Sequence, residues 1–341
     1  MLPFNKVRDT FIPMNIHVRK TTLRHIGLSL AVAVLLVNAI AFLHAYRFTH
    51  FSSAEIARSE VATNIPLTQK LKMLLTGIDN PRPQNRTLPS VPYETISLEG
   101  TATLEGWLIP VEQPKGTVVL FHGYAGWKGE LLPAAAAFRA LGYRTLLIDF
   151  PGSGGSEGNN TTIGYREAQD VRAVYSYARQ QFPEEKLILY GFSMGAAAIM
   201  RAIEIYNIVP DALVLGCPFS TMRETVHNRF RMLGVPSFIF ADLLVLWGGV
   251  QHGYWAFSHN PVDYAERITI PTLLLYGKRD QRVTLSETKQ IYQALAGPKQ
   301  LVVFEQADHE PYASHDAERW EEVVSSFLEI SEKKVKEQAG T

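Results

Sequence analysis

The pentapeptide Gly191-Phe192-Ser193-Met194-Gly195 sets a serine between two glycines, directly after the apolar run Leu187-Ile188-Leu189-Tyr190 and directly before Ala196-Ala197-Ala198. A buried strand, a tight turn and a helix of small residues meet at Ser193. This is the arrangement of a nucleophile elbow, in which a crowded turn projects a hydroxyl at the end of a sheet. A serine hydroxyl is a poor nucleophile at neutral pH, so it needs a base, and the base needs a carboxylate to hold its tautomer. The chain supplies both further on, acid first and histidine second. Asp280 lies in the turn Gly277-Lys278-Arg279-Asp280-Gln281-Arg282-Val283, and His309 lies in Ala307-Asp308-His309-Glu310. Each follows a strand candidate, Thr272 to Tyr276 and Gln300 to Phe304, so both fall at carboxyl ends of strands, where open α/β sheets bind ligands. The loop His122-Gly123-Tyr124-Ala125-Gly126 follows another strand candidate, and the backbone N–H of Tyr124 can join that of Met194 to hold an oxyanion. The chemistry these residues would do is acyl transfer through a covalent serine intermediate.

Each member has rivals. Gly154-Gly155-Ser156-Glu157-Gly158 spells the same pentapeptide pattern, but Pro151-Gly152-Ser153 separates it from its strand and polar Asn159-Asn160-Thr161-Thr162 follows it, so it reads as a flexible loop. The glutamate at 157 also breaks the dinucleotide fingerprint there. Asp263 and Glu305 are less well placed acids than Asp280, and Asp308 is too close to His309 in sequence to reach its ring. His315 approaches a helix, while His252 and His259 fall in a separate insertion. His122 reads as a brace for its loop. Cys217, the single cysteine, follows Leu213-Val214-Leu215 and reads as a buried core residue.

The elements that must position these residues alternate as strand, loop and helix: Thr117 to Phe121 then Leu131 to Leu141, Arg144 to Asp149 then Gly164 to Gln181, Leu187 to Tyr190 then Met194 to Tyr206. That rhythm specifies a parallel sheet covered by helices, with strands that are continuously apolar because both faces are buried. Leu213 to Leu215 supplies one more strand. Upstream, Glu94 to Leu98 and Glu105 to Ile109 flank Glu99-Gly100-Thr101 as an antiparallel hairpin at the sheet's edge. Between Phe219 and Pro261 the rhythm lapses into aromatic and aliphatic text, read as a cap. Its segment Leu233 to Trp247, including Phe238, Ile239 and Phe240, offers an acyl-chain site or the cap's own core.

The chain has 341 residues, 46% of them apolar, and 33 basic against 33 acidic side chains, so nothing points to a nucleic-acid partner. One cysteine allows no internal disulfide, and no Cys/His zinc spacing exists. Ile26 to Phe42, extended to Tyr46, carries no charge and reaches the roughly 20 residues that cross a bilayer. Lys6, Arg8, Arg19, Lys20 and Arg24 precede it, so the positive-inside rule puts the N-terminus in the cytoplasm and the rest of the chain outside. A cleaved signal peptide is the alternative, with secretion as its outcome. The expected organisation is a basic tail over 1–25, a transmembrane helix or uncleaved anchor over 26–46, a connector over 47–90, and a catalytic domain over 91–331 with its cap at about 219–261.

From Tyr93 to Leu328 these motifs resemble the α/β-hydrolase superfamily. Asp149-Phe150-Pro151-Gly152-Ser153-Gly154-Gly155-Ser156-Glu157-Gly158 is similar to the loop after the fourth core strand in membrane-anchored Bem46-like and ABHD13-type hydrolases. The resemblance implies an α/β-hydrolase fold, a Ser193/Asp280/His309 triad and the Tyr124/Met194 oxyanion pair; the hydrolytic chemistry read from these residues needs no metal or organic cofactor. The group's histidine loop commonly reads Gly-His-Asn, whereas Asp308 and Glu310 flank His309 here. The expected activity is a serine hydrolase acting on a carboxylic ester, with a lipid-like acyl substrate and membrane attachment through residues 26–46. A thioesterase or peptidase of the same fold is the nearest alternative. A catalytically silent membrane-tethered interaction protein is the alternative from another class.

Overall fold

The computed structural model describes residues 20–54, 57–59, 65–237 and 240–339. The chain divides into two compact units, Met1–Ile40 and Ala41–Thr341. Helix α1 (Lys20–Thr49) has 30 residues, about 45 Å at the helical rise. Its stretch Thr22–Thr49 is long and apolar enough to span a membrane. Leu28, Leu30 and Leu35 stand exposed along it, a surface suited to lipid and shared by anchors and signal sequences. Lys6, Arg8 and Arg19 lie outside the described residues.

The second unit holds one eight-stranded sheet, in the order β1-β2-β4-β3-β5-β6-β7-β8. The strands are β1 (Glu94–Glu99), β2 (Thr103–Ile109), β3 (Gly116–Phe121), β4 (Arg144–Ile148), β5 (Lys186–Phe192), β6 (Ala212–Gly216), β7 (Thr272–Gly277) and β8 (Lys299–Phe304). Pairs β1/β2 and β2/β4 are antiparallel, with Glu94 opposite Leu108 and Gly106 opposite Ile148; every other pair is parallel. Strands β3, β6 and β7 are buried at every residue. Alternation divides them between two cores. Val119, Phe121 and Leu189 face one side with α4 (Glu167–Gln181) and α5 (Met194–Tyr206). Val118, Leu120 and Tyr190 face the other with α3 (Leu132–Ala140) and Trp320 of the C-terminal helix (Ala317–Ala339).

Between β6 and β7 the chain forms a helical cap, α6 (Met222–Leu233) and α7 (Phe240–His252). The Thr221 hydroxyl accepts the Glu224 N–H at 3.0 Å and so caps α6, which ends at Gly234 with φ 66°. Phe238 and Ile239 lie outside the described residues.

Two expectations change. The loop around Ser156 is not flexible: Ser156 is buried, its hydroxyl donates to the Asp149 carbonyl at 2.7 Å and accepts the Glu105 N–H at 2.8 Å. Glycine and serine there serve a tight packing, not mobility. The stretch 47–90 is also more than a connector. Phe51 is buried, its N–H donates to Asn159 at 2.6 Å, and Ser52 bridges to Pro81. The Arg82 guanidinium donates to the carbonyls of Gly154 and Ser156. The compact unit that carries the sheet begins at Ala41. Helix α2 spans Leu67–Thr76, and residues 55–56 and 60–64 lie outside the described ones.

Candidate active site

Ser193 sits between the end of β5 and the first turn of α5 at φ 51°, ψ −108°, a conformation that an L-residue adopts only under constraint. Its N–H donates to the Gly216 carbonyl of β6 at 2.7 Å, which ties the elbow to the sheet. The flanking glycines are required by space. A Cβ on Gly195 would run into the Phe121 and His122 carbonyls, and one on Gly191 into the backbone of Ala196.

The three expected side chains converge. The Ser193 hydroxyl and His309 Nε2 are 3.0 Å apart, and His309 Nδ1 and Asp280 Oδ2 are 2.6 Å apart. The other Asp280 oxygen accepts the N–H groups of Arg282 at 2.7 Å and Val283 at 2.9 Å, so the carboxylate is fixed by its own turn. Its side chain is fully buried, and that of His309 nearly so. Burial lowers the pKa of His309 below the ordinary histidine range, with Asp280 opposing the shift, so the ring is neutral at pH 7. The backbone N–H groups of Tyr124 and Met194 donate to no backbone carbonyl among the described residues.

The rivals are engaged elsewhere. Asp263 accepts from Asn260, Glu305 pairs with Lys278 at 2.5 Å, and His315 pairs with Glu310 at 2.9 Å. His259 is buried between the Ile163 carbonyl and the Tyr264 hydroxyl, and His252 ends α7. Asp308 is exposed. His122 braces its loop: Nδ1 meets the Gly123 carbonyl at 2.7 Å, and Nε2 accepts the Phe150 N–H at 3.0 Å.

Cys217 is buried as expected, yet its Sγ lies 3.6 Å from His309 Nδ1. The donor atoms of Cys217, Asp280 and His309 fall within 4.8 Å of one another. They suit a metal poorly, because burial pushes the thiol well up and keeps it protonated, while the imidazole and carboxylate satisfy each other.

Two adjoining cavities complete the site. One, of about 370 Å³, opens on Ser193, His309, Phe192 and Glu130. The other, of about 160 Å³, is walled by apolar side chains including Phe48 of α1, Met73 of α2, and Leu233 and Val245 of the cap. Arg58, Tyr124, Arg229 and Arg282 line both. The sequence reading missed these arginines, which lie far apart along the chain; only Arg282, two residues past Asp280, carried a local signal.

A strand-elbow-helix serine on a mostly parallel eight-stranded sheet defines an α/β-hydrolase, and the chain is a serine hydrolase of that fold. Within that group it resembles Bem46-type proteins. A family model described as serine aminopeptidase, S33, matches residues 112–252. Among curated relatives, the protein YqkD of Bacillus subtilis is 25% identical over 229 residues, covering 66% of this chain and 75% of its own. The lysophosphatidylserine lipase ABHD12 of Danio rerio is 26% identical, covering 57% of this chain and 51% of its own length. The protein bem46 of Schizosaccharomyces pombe is 25% identical, with 56% and 62% covered. Among solved structures, the Pyrococcus furiosus esterase Pf2001 aligns with TM-score 0.59 and 23% identity over 73% of this chain and 98% of its own.

Proposed function

We propose that the protein hydrolyses a carboxylic ester with a lipid-like acyl group, through an acyl-enzyme on Ser193. The observation that carries this reading is the continuous hydrogen-bonded line from Ser193 through His309 to Asp280. The Ser193 oxygen attacks the acyl carbon as His309 Nε2 takes its proton, and the N–H groups of Tyr124 and Met194 hold the oxyanion. The tetrahedral intermediate expels the alcohol, which receives the proton from His309. Water, deprotonated by the same nitrogen, then attacks the acyl-serine and returns the free serine and the acid. Asp280 holds Nδ1–H and stabilises the imidazolium. The apolar cavity beside the site supports a hydrocarbon acyl chain, as does the likeness to a relative named a lipase.

A fluorophosphonate probe is expected to label the full chain in detergent and to stop labelling Ser193→Ala, with ester hydrolysis lost in parallel. Hydrolysis that survives the substitution refutes the assignment. The apolar span of α1 supports a membrane anchor, and the basic residues before it support a cytoplasmic N-terminus. A reporter fused after Thr341 should then be active only outside the cytoplasm.

A further inference from the structure

Three guanidinium groups gather where the two cavities meet, and they come from three separate places in the chain: Arg58 from the stretch after α1, Arg229 from cap helix α6, and Arg282 from the turn that carries Asp280. Among the described residues none of the three makes a side-chain ion pair, and the one side-chain hydrogen bond is from Arg58 Nη1 to the Ala125 carbonyl at 3.0 Å. Two of them have further contacts. Asn228 Nδ2 donates to the Arg282 carbonyl at 3.0 Å, and Arg58 lies over the Tyr124 ring at 5.8 Å from its centroid.

The acids nearby offset them only in part. The Asp280 carboxylate, engaged by His309 and by the backbone of its own turn, still favours the charged forms of Arg229 and Arg282 through space, and Glu310 pairs with His315. Glu130 shares the catalytic cavity, but its burial raises its pKa to about 7, so it carries only part of a charge at neutral pH. Burial first, then the fields of Arg282 and Arg58, bring Arg229 down to about 9. Like charges are brought together at a cost in stability unless an anion joins them. Groups approaching from three elements suit the several oxygens of a phosphate better than the planar pair of a carboxylate.

We infer that Arg58, Arg229 and Arg282 form a seat for a phosphate carried by the substrate itself, so that the preferred ester joins an acyl chain to an alcohol bearing a phosphate a few bonds away. The acyl chain lies in the apolar cavity, the ester faces Ser193, and the phosphate meets the arginines. This substrate class rests on the ester-hydrolase reading above.

The test compares 1-decanoylglycerol with 1-decanoylglycerol 3-phosphate, using the full chain in neutral detergent. These two esters differ only in the phosphate. The protein is expected to prefer the phosphate ester in kcat/KM. Arg229→Gln and Arg282→Gln should reduce that preference roughly 10- to 100-fold, the size of one lost charge-assisted hydrogen bond. Arg229→Lys should restore part of it. A preference absent from the unsubstituted protein, or unchanged by the glutamine variants whatever their total activity, overturns the proposal. Calorimetric binding of decyl phosphate, decanol and inorganic phosphate to Ser193→Ala reads the seat without turnover. Decyl phosphate should bind best and weaken on adding Arg229→Gln. Inorganic phosphate binding as tightly as decyl phosphate would mean a free-anion site and overturn the substrate reading. Arginine-dependent decyl phosphate binding, in a protein whose Ser193 takes no fluorophosphonate, would support the seat while refuting the hydrolase.

Discussion

Replacing Asp280 with asparagine is expected to abolish catalysis while leaving the fold intact, and the reason lies in how the carboxylate is held. One oxygen accepts two backbone N–H groups, from Arg282 and Val283, and the other faces His309 Nδ1 at 2.6 Å. In Asp280→Asn the amide oxygen keeps the two backbone donors, because turning it away would leave both unsatisfied. The amide nitrogen is then forced to face Nδ1 and donate to it. His309 must carry its proton on Nε2, where it points at Ser193 and can accept nothing. The wrong tautomer costs about 10⁴ in kcat in serine proteases, which is about 5.5 kcal/mol of barrier. The same loss is expected here, with the rate of fluorophosphonate labelling falling alongside kcat and the melting temperature nearly unchanged. Asp280→Ala differs in a useful way. It strands two N–H groups, costs about 1–3 kcal/mol of stability, and releases the turn that carries Arg282. An asparagine variant that keeps a tenth of the original kcat, still dependent on Ser193, would refute the tautomer argument.

Lys128 is fully buried and pairs with Asp149 and, at 2.6 Å, with Glu105, so Lys128→Met leaves a buried carboxylate without its cation. The expected cost is about 3–5 kcal/mol, a drop of roughly 6–20 °C in melting temperature read by thermal unfolding. Because burial lowers the pKa of His309 and the neutral ring is the active form, the acid limb of kcat/KM should have its midpoint below the ordinary value of about 6.5, and a midpoint above that would contradict it. Asp170, buried against Thr101, has its pKa raised to about 7 chiefly by desolvation, so the native state holds its proton longer than the unfolded chain does and stability falls as pH rises toward 7. Asp170→Asn, which imitates the protonated acid, should match the original protein in thermal unfolding at pH 4 and exceed it at pH 8. A chain beginning at residue 91 should fail to fold stably, while one beginning at Ala41 retains labelling at Ser193; equal labelling of the two would show that the intervening segment is dispensable.

The sheet was legible because a parallel strand buried on both faces must be apolar throughout, and Val118 to Phe121, Leu146 to Ile148 and Leu187 to Tyr190 are. The convergence of Ser193, Asp280 and His309 was legible for a related reason: parallel strands end on the same edge, so chain order and strand ends bring the three together without knowledge of any pairwise contact. Ser156 was misread because composition reports on turn chemistry and not on burial. Its packing depends on Glu105 and Arg82, 51 and 74 residues away. The arginines at the cavity junction were hidden for the same reason, since nothing periodic links positions 58, 229 and 282.

The position of Tyr124 shows why the segment before the sheet belongs to the site. Its expected role is a backbone one, yet its side chain is held at three points. The hydroxyl donates to the Phe48 carbonyl at 2.6 Å and accepts from Asn80 Nδ2 at 2.9 Å, and the ring stacks on Phe48 with centroids 4.6 Å apart. Phe48 lies in the last turn of α1, and Asn80 follows α2. An oxyanion donor is useful only when its direction is fixed before the charge develops. The loop after β3 contains three glycines or alanines around Tyr124 and has little of its own to fix it. The end of the apolar helix and the following stretch supply that rigidity. Phe48 also walls the apolar cavity, so the same residue borders the proposed acyl chain and holds the side chain of the proposed oxyanion donor.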